Sequence, residues 1–298
     1  MRTIVTGGCG FIGSHLVDEL VGRGDQVMVI DNESSDAHDE FHYNNDAEYA
    51  WYDIADYDSI EHLFKGVDYV FHLAAEARIQ PAIENPTLAV RTNVAGTCSV
   101  LQASRHHGIK RVMYSSTSSV YGLINDPPLV ETMPRDCLNP YSVSKFAGEE
   151  LCKMYWSLFG LETIIFRYFN VYGERQPTRG QYAPVLGIFQ RQISEGNPMT
   201  VVGDGLQTRD YVHVSDVVEA NTIAATVTGS EAIGQIFNIG TGTSYSVMDL
   251  VSMLSGPSTS HVHLDSRQGE ARHTMANIMK TQRLLGWHPK VRLEDYLS

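Results

Sequence analysis

A phenol and an ammonium, Tyr141 and Lys145, stand four residues apart in the stretch Asn139-Pro-Tyr-Ser-Val-Ser-Lys145. The Asn-Pro pair favours an extended or turn conformation, and a helix-forming run follows as far as a plausible stop at Gly160. Both groups therefore fall in the first turns of one helix and on one face of it. A free tyrosine has a pKa near ~10, so work as a base at neutral pH requires lowering it by about three units, roughly 4 kcal/mol. A lysine cation one turn away, the positive end of the helix and a cationic cofactor ring all act in that direction. The same spacing arises by chance on surface helices, so its meaning depends on the residues that accompany it.

The first of these companions is at the N-terminus. A β-rich run, Arg2 to Thr6, leads into Gly7-Gly-Cys-Gly10-Phe-Ile-Gly13 and then into a helical pattern. Glycines allow a tight turn and let backbone amides approach a pyrophosphate, toward which the helix N-terminus directs partial positive charge. The spacing is G-x-x-G-x-x-G, which a purely structural turn can also show. The next strand, Gln26 to Ile30, ends in Asp31, 18 residues past Gly13. An acid there is placed to hydrogen-bond an adenosine ribose and to repel a 2′-phosphate, which favours NAD over NADP.

Composition narrows the function classes. A chain of 298 residues can bury a large core without disulfides or metals. The net charge of −13 and the lack of a dense Lys/Arg cluster argue against nucleic acid as a partner. Cys9, Cys98, Cys137 and Cys152 have no C-x-x-C spacing and suit reduced thiols of a cytoplasmic protein. The absence of a leader pattern and of an apolar run near twenty residues predicts a soluble, unexported protein with no membrane partner. His38 and His42, His106-His107 and His261-x-His263 carry no supported ligand spacing, and no metal is expected.

Further strands are predicted at Tyr49–Ile54, Tyr69–Ala75, within Arg111–Gly122, at Thr163–Phe169 and at Gln235–Ile239, with a long amphipathic segment over Leu88–His107. Strands alternating with helices imply an α/β fold with a doubly wound parallel sheet. The expected division is a cofactor-binding domain over residues 1–169 and a smaller α/β substrate-binding lobe over 170–298, interleaved through a strand near 235–240 that returns to the first sheet. Beyond Glu174 the pattern is less regular, with a helical GIFQRQISEG, a β-rich PMTVVGDG, the run RDYVHVSDVVEAN and a terminal helix near Lys280–Leu285.

Taken in order, TGGCGFIGSH, VIDN, YDIAD, HLAA, SSTSSVYG, NPYSVSK, FRYFNVYGERQ, GDGLQTRDYVHVSD, FNIGTG and RQGEARHTMANIMK resemble the extended short-chain dehydrogenase/reductase family, and within it the UDP-sugar 4-epimerases. The resemblance covers nearly the whole chain and implies a Rossmann sheet. It makes Gly7, Gly10 and Gly13 the pyrophosphate turn of NAD, with backbone contacts from Phe11 and Ile12. Asp31 and Asn32 would hold the adenosine ribose and Asp53 with Ile54 the adenine, while Leu73, Ala74, Ala75 and Asn93 would line the cofactor cleft. Thr117, three residues before the valine of V-Y-G, would complete a catalytic set with Tyr141 and Lys145; Ser116 or Ser118 could share that role.

The implied chemistry is redox-neutral. Tyr141 takes the proton of the sugar 4-hydroxyl while hydride leaves carbon 4 for NAD, the 4-keto sugar turns over, and hydride returns to its other face. Related dehydratases and decarboxylases carry an acid before V-Y-G where Ser118 and Ser119 stand here, so epimerisation is favoured. Asn170, Arg209 and Arg267 match positions that grip the nucleotide diphosphate, although each could be an ordinary surface or cap residue. Thr274 matches a position that gates the sugar pocket, where a small residue admits an N-acetyl group. The expected substrate pair is UDP-GlcNAc/UDP-GalNAc, with UDP-Glc/UDP-Gal as a second activity. UDP-glucuronate 4-epimerisation or a nucleotide-sugar dehydratase activity remains open, as does a non-catalytic NAD-binding sensor. The family pattern also implies a homodimer through the Tyr141 helix and the one after Asn93; Leu151, Met154 and Leu158 are apolar on the first, which core packing alone would also explain.

Overall fold

The computed structural model describes residues 1–35, 38, 40–179, 183–256, 259–265 and 271–298. Its strands, in chain order, are β1 (Arg2–Thr6), β2 (Gln26–Asp31), β3 (Glu48–Trp51), β4 (Tyr69–His72), β5 (Arg111–Thr117), β6 (Glu162–Tyr168), β7 (Asn170–Tyr172), β8 (Met199–Val202), β9 (Thr208–His213), β10 (Ile236–Ile239), β11 (Ser244–Ser246) and β12 (His261–Leu264).

Seven of them form one sheet in the order β10-β6-β5-β4-β1-β2-β3, with every neighbouring pair parallel. Such a sheet is covered on both faces, so its inner strands are near-continuously buried, as all seven residues of β5 are. Alternate residues feed different cores. Val5 packs with Leu16, Phe71 and Phe166 on one face, and Ile4 packs with Val70, Val112 and Tyr155 on the other. The strand expected near 235–240 does return, and Ile236 pairs with Ile165 beside β6.

Progression along the chain reverses between β1 and β4. The carboxyl ends of these two strands therefore frame a crevice.

The helix Pro140–Phe159 starts with a capping box, in which Asn139 Oδ1 accepts from the Ser142 amide at 2.9 Å, and it stops at Gly160 with φ 71°. It lies close on β5 because position 148 is glycine; a Cβ there would sit 2.1 Å from the Tyr114 hydroxyl oxygen. Leu151 and Met154 pack against the core below, while Leu158 is 68% exposed.

One expected strand end moves, and two stretches left without assigned elements are resolved. The third strand ends at Trp51 rather than Ile54, because Asp53 Oδ1 accepts from the Ala55 amide and turns the chain there. The segment over Leu88–His107 is a helix interrupted by a π-helical stretch at Arg91–Gly96. The run from Arg209 to Asn221 divides at His213, which ends β9 and caps the helix Val214–Thr226.

Two small sheets stand beside the large one, β11-β9-β7 and β12-β8. They share a separate core with Tyr172, Phe189, Met199 and Leu250. Among the described residues, no helix is long and apolar enough to cross a membrane.

Candidate active site

A cavity of about 590 Å³ opens at the carboxyl ends of β1, β2, β4 and β5 and continues toward the small sheets. Gly7, Gly10, Phe11, Ile12 and Gly13 form one part of its wall. Gly7 adopts φ +72°, and a Cβ on Gly13 would fall 2.1 Å from the Gly7 carbonyl oxygen. The turn therefore accepts no side chain at either place. The helix Phe11–Gly22 begins without a side-chain cap and without an acid in its first turn, which leaves its amides for an anion.

Asp31 lies on the adjoining wall, where Oδ2 accepts from the Cys9 amide at 3.0 Å and Oδ1 from the Glu33 amide at 2.9 Å. The carboxylate thus braces the glycine turn and retains acceptor capacity for a ribose. Asn32, Asp53 and Ile54 line the same end, although Asp53 also pairs with Arg91 at 2.7 Å. Leu73, Ala74 and Ala75 line the opposite lip, where the Ala74 amide donates to Thr6 Oγ1 at 3.2 Å. A side-chain-free turn, unclaimed helix amides and a strand-end acid fit a dinucleotide such as NAD.

Thr117, Tyr141 and Lys145 line the same cavity. The Thr117 hydroxyl donates to Ser119 Oγ at 3.1 Å and accepts from the Ser119 amide at 3.1 Å. Burial pushes the Tyr141 phenol up, while Thr117 and the Arg78 charge pull it down. Lys145 is 4% exposed, and burial brings it down to about 8. Its Nζ lies 4.7 Å from the centre of the Tyr114 ring. Below, His72 is held neutral by burial, between Thr6 Oγ1 at 2.7 Å and Thr97 Oγ1 at 2.9 Å.

Two expected residues do other work. Ser116 lines the cavity, but its hydroxyl donates to Glu149 at 2.6 Å, within a fully buried Glu149–Arg167 ion pair. Asn93 is 1% exposed and lies outside the cavity lining. Its Oδ1 accepts from the Glu76 amide at 2.8 Å, and its Nδ2 donates to Ser144 Oγ at 2.9 Å. Asn93 therefore ties the loop after β4 to the Tyr141 helix.

On the far side, Asn170, Arg209 and Thr274 line the cavity. Arg267 lies outside the described residues. Thr274 is 8% exposed, and its Oγ1 has no hydrogen-bond partner among the described residues. Its segment is fastened by Asp210, a residue that sequence reasoning passed over. The fully buried Asp210 carboxylate accepts from the amides of Thr241 at 2.7 Å, Gly242 at 2.9 Å and Ala276 at 2.9 Å. Arg78 was missed as well, since nothing in its local spacing marks it.

A model of the NAD dependent epimerase/dehydratase family matches residues 3–240. The UDP-glucose 4-epimerase of Mycolicibacterium smegmatis is 37% identical over 308 residues, spanning 100% of this chain and 96% of that protein. The Thermotoga maritima UDP-glucose 4-epimerase with UDP-glucose superposes with a TM-score of 0.93 at 36% identity, covering 100% of this chain and 96% of that one. The UDP-N-acetylglucosamine 4-epimerase from Methanobrevibacter ruminantium M1 in complex with UDP-N-acetylmuramic acid gives 0.91 at 31% identity, covering 99% and 95%. With its glycine turn, strand-end acid and parallel seven-stranded sheet, this chain belongs to the NAD dependent epimerase/dehydratase family.

Proposed function

We propose that the protein is a 4-epimerase of UDP-hexoses, with UDP-GlcNAc/UDP-GalNAc the preferred pair and UDP-Glc/UDP-Gal a second one. The observation that carries this reading is the convergence of Thr117, Tyr141 and Lys145 in the cavity that also holds the glycine turn. Serines at 118 and 119 support epimerisation, because the carboxylate that elimination would use is missing from those positions.

Bound NAD supplies a hydride acceptor that returns what it takes. Tyr141 removes the proton from the sugar 4-hydroxyl and gives it back after the sugar has turned, while Thr117 donates a hydrogen bond to the developing alkoxide. Lys145 holds the nicotinamide ribose and adds positive charge on the same helical face. Gly7, Gly10 and Gly13 with the Phe11 and Ile12 amides hold the pyrophosphate. Asp31 and Asn32 hold the ribose, and Asp53 with Ile54 the adenine. Asn170, Arg209 and Arg267 are assigned to the UDP diphosphate.

The N-acetyl preference rests on Thr274, a small residue on the cavity wall whose buried hydroxyl has no partner among the described residues and is available to an acetamido group. The hydroxyl row of Thr117, Ser118 and Ser119 along the same cavity favours UDP-glucuronate as the second reading. A cytoplasmic homodimer belongs to this proposal, with the exposed Val143 and Leu158 on the Tyr141 helix as its supporting surface.

Tyr141→Phe tests the assignment. NAD stays bound, since little contact area is lost, and turnover falls by about 10²–10⁴. Near-normal turnover would remove Tyr141 as the base.

A further inference from the structure

The groups around Tyr141 leave an electrostatic gap. Lys145, the cation on its own helix, is enclosed by protein and held over the Tyr114 ring, 4.7 Å from its centre. Burial brings that amine to about 8, so its charge is lost as the pH rises on the alkaline side of neutrality. Burial and the neighbouring Tyr141 hold the Tyr114 phenol on β5 well above its ordinary range, so it stays neutral and supplies no positive charge. Tyr121 and Arg209 line the same cavity from the turn after β5 and from β9, and Glu76 lines it from the loop after β4.

Arg78 stands on that loop as well. It lines the cavity with Tyr141, is half-buried, and has no ion-pair or hydrogen-bonded side-chain partner among the described residues. A guanidinium keeps its charge throughout the physiological range, which a buried amine does not.

Its position is built. Arg78 caps the helix Ile79–Glu84, and its carbonyl accepts from the Ala82 amide at 3.3 Å. Two residues earlier, Glu76 is gripped on both sides by Asn93, which receives its amide at 2.8 Å and donates to its carbonyl at 3.0 Å. Asn93 also donates to Ser144 Oγ at 2.9 Å, and Ser144 donates to the Tyr141 carbonyl at 2.8 Å. The loop that carries Arg78 and the helix turn that carries Tyr141 are thus joined through two side chains.

We propose that Arg78 is a positioning residue for the reaction, the fixed cation that holds the Tyr141 side chain ready as a phenolate. The Asn93 clamp sets their separation. Arg78 acts through Tyr141 and forms no bond to the sugar. This assignment rests on Tyr141 being the base, so its test includes a signal independent of any substrate.

Tyrosine ζ-carbon-labelled holoenzyme, with NAD bound, gives that signal by NMR, and Tyr141→Phe assigns the resonance. Arg78→Gln raises the pH at which the Tyr141 resonance titrates by roughly one unit, and Arg78→Lys restores most of the difference. The acid limb of kcat with a turned-over UDP-sugar moves by the same amount, which is about tenfold slower turnover on that limb. Retained NAD binding verifies that each variant is folded. A Tyr141 resonance that titrates identically in wild type and Arg78→Gln overturns the assignment. An unchanged titration with KM raised for a uronate alone would instead make Arg78 a carboxylate clamp. If Tyr141 titrates as expected but no UDP-sugar is turned over, the substrate reading fails while the pairing stands.

Discussion

On the cofactor side of the cavity the Gly7–Gly13 turn is shaped by backbone clearances, with 2.1 Å between a Gly13 Cβ and the Gly7 carbonyl oxygen. On the wall proposed for the sugar, the segment of Thr274 is fastened by a buried carboxylate, Asp210, which gathers amides from residues 241, 242 and 276. The first wall follows from adjacent residues on β1 and the helix after it. The second depends on bonds between segments more than thirty residues apart, as the Asp210 to Thr241 separation shows. A wall of the first kind suits an invariant ligand such as a dinucleotide. One of the second kind can be re-cut by single substitutions to fit a different sugar.

The comparison breaks most sharply at Gly13. Gly13→Ala drives a methyl into the Gly7 carbonyl, at a cost of about 1–3 kcal/mol, and NAD affinity drops roughly tenfold to hundredfold in a titration. Unchanged NAD affinity would mean that the clearance is not what shapes this wall. Asp210→Asn retains the volume but replaces one acceptor oxygen with an NH₂. At least one amide of the sugar wall loses its partner, and chemical denaturation shows about 1–3 kcal/mol less stability, with NAD affinity near wild type. A variant that loses NAD binding first would show that the two walls are not separable. Thr274→Tyr, the smallest of the three, fills the gate and lowers kcat/KM for UDP-GlcNAc about tenfold relative to UDP-Glc. Equal loss for both sugars would refute the gating role.

The same contrast decides what could be read from the chain. Tyr141 and Lys145 were legible because four residues on a helix is a fixed geometry, and Asp31 because a strand end after a glycine turn has one outlet in a doubly wound sheet. The parallel sheet, including its returning strand at Ile236–Ile239, followed from the alternation of apolar runs. The π-helical stretch at Arg91–Gly96 left no trace, since it is built from residue types that an ordinary α-helix also accepts. Asn93 was read as cleft lining, whereas its side chain is used up between Glu76 and Ser144, which only the folded chain brings together. Asp210 escaped notice for the same reason, for its partners are set by tertiary contacts rather than by spacing, and Arg78 because only the fold brings its loop to the cavity.

The central claim is a redox-neutral inversion at carbon 4 in a pocket that admits an N-acetyl group. Incubating the NAD-loaded protein with UDP-GlcNAc, UDP-Glc and UDP-glucuronate separately, without reductant, and resolving the 4-epimers by NMR tests it most directly. The account predicts that UDP-GlcNAc is converted toward a mixture with UDP-GalNAc, faster than UDP-Glc with UDP-Gal. Conversion of UDP-glucuronate alone would contradict the Thr274 pocket, and no 4-epimer from any of the three would contradict the reaction itself.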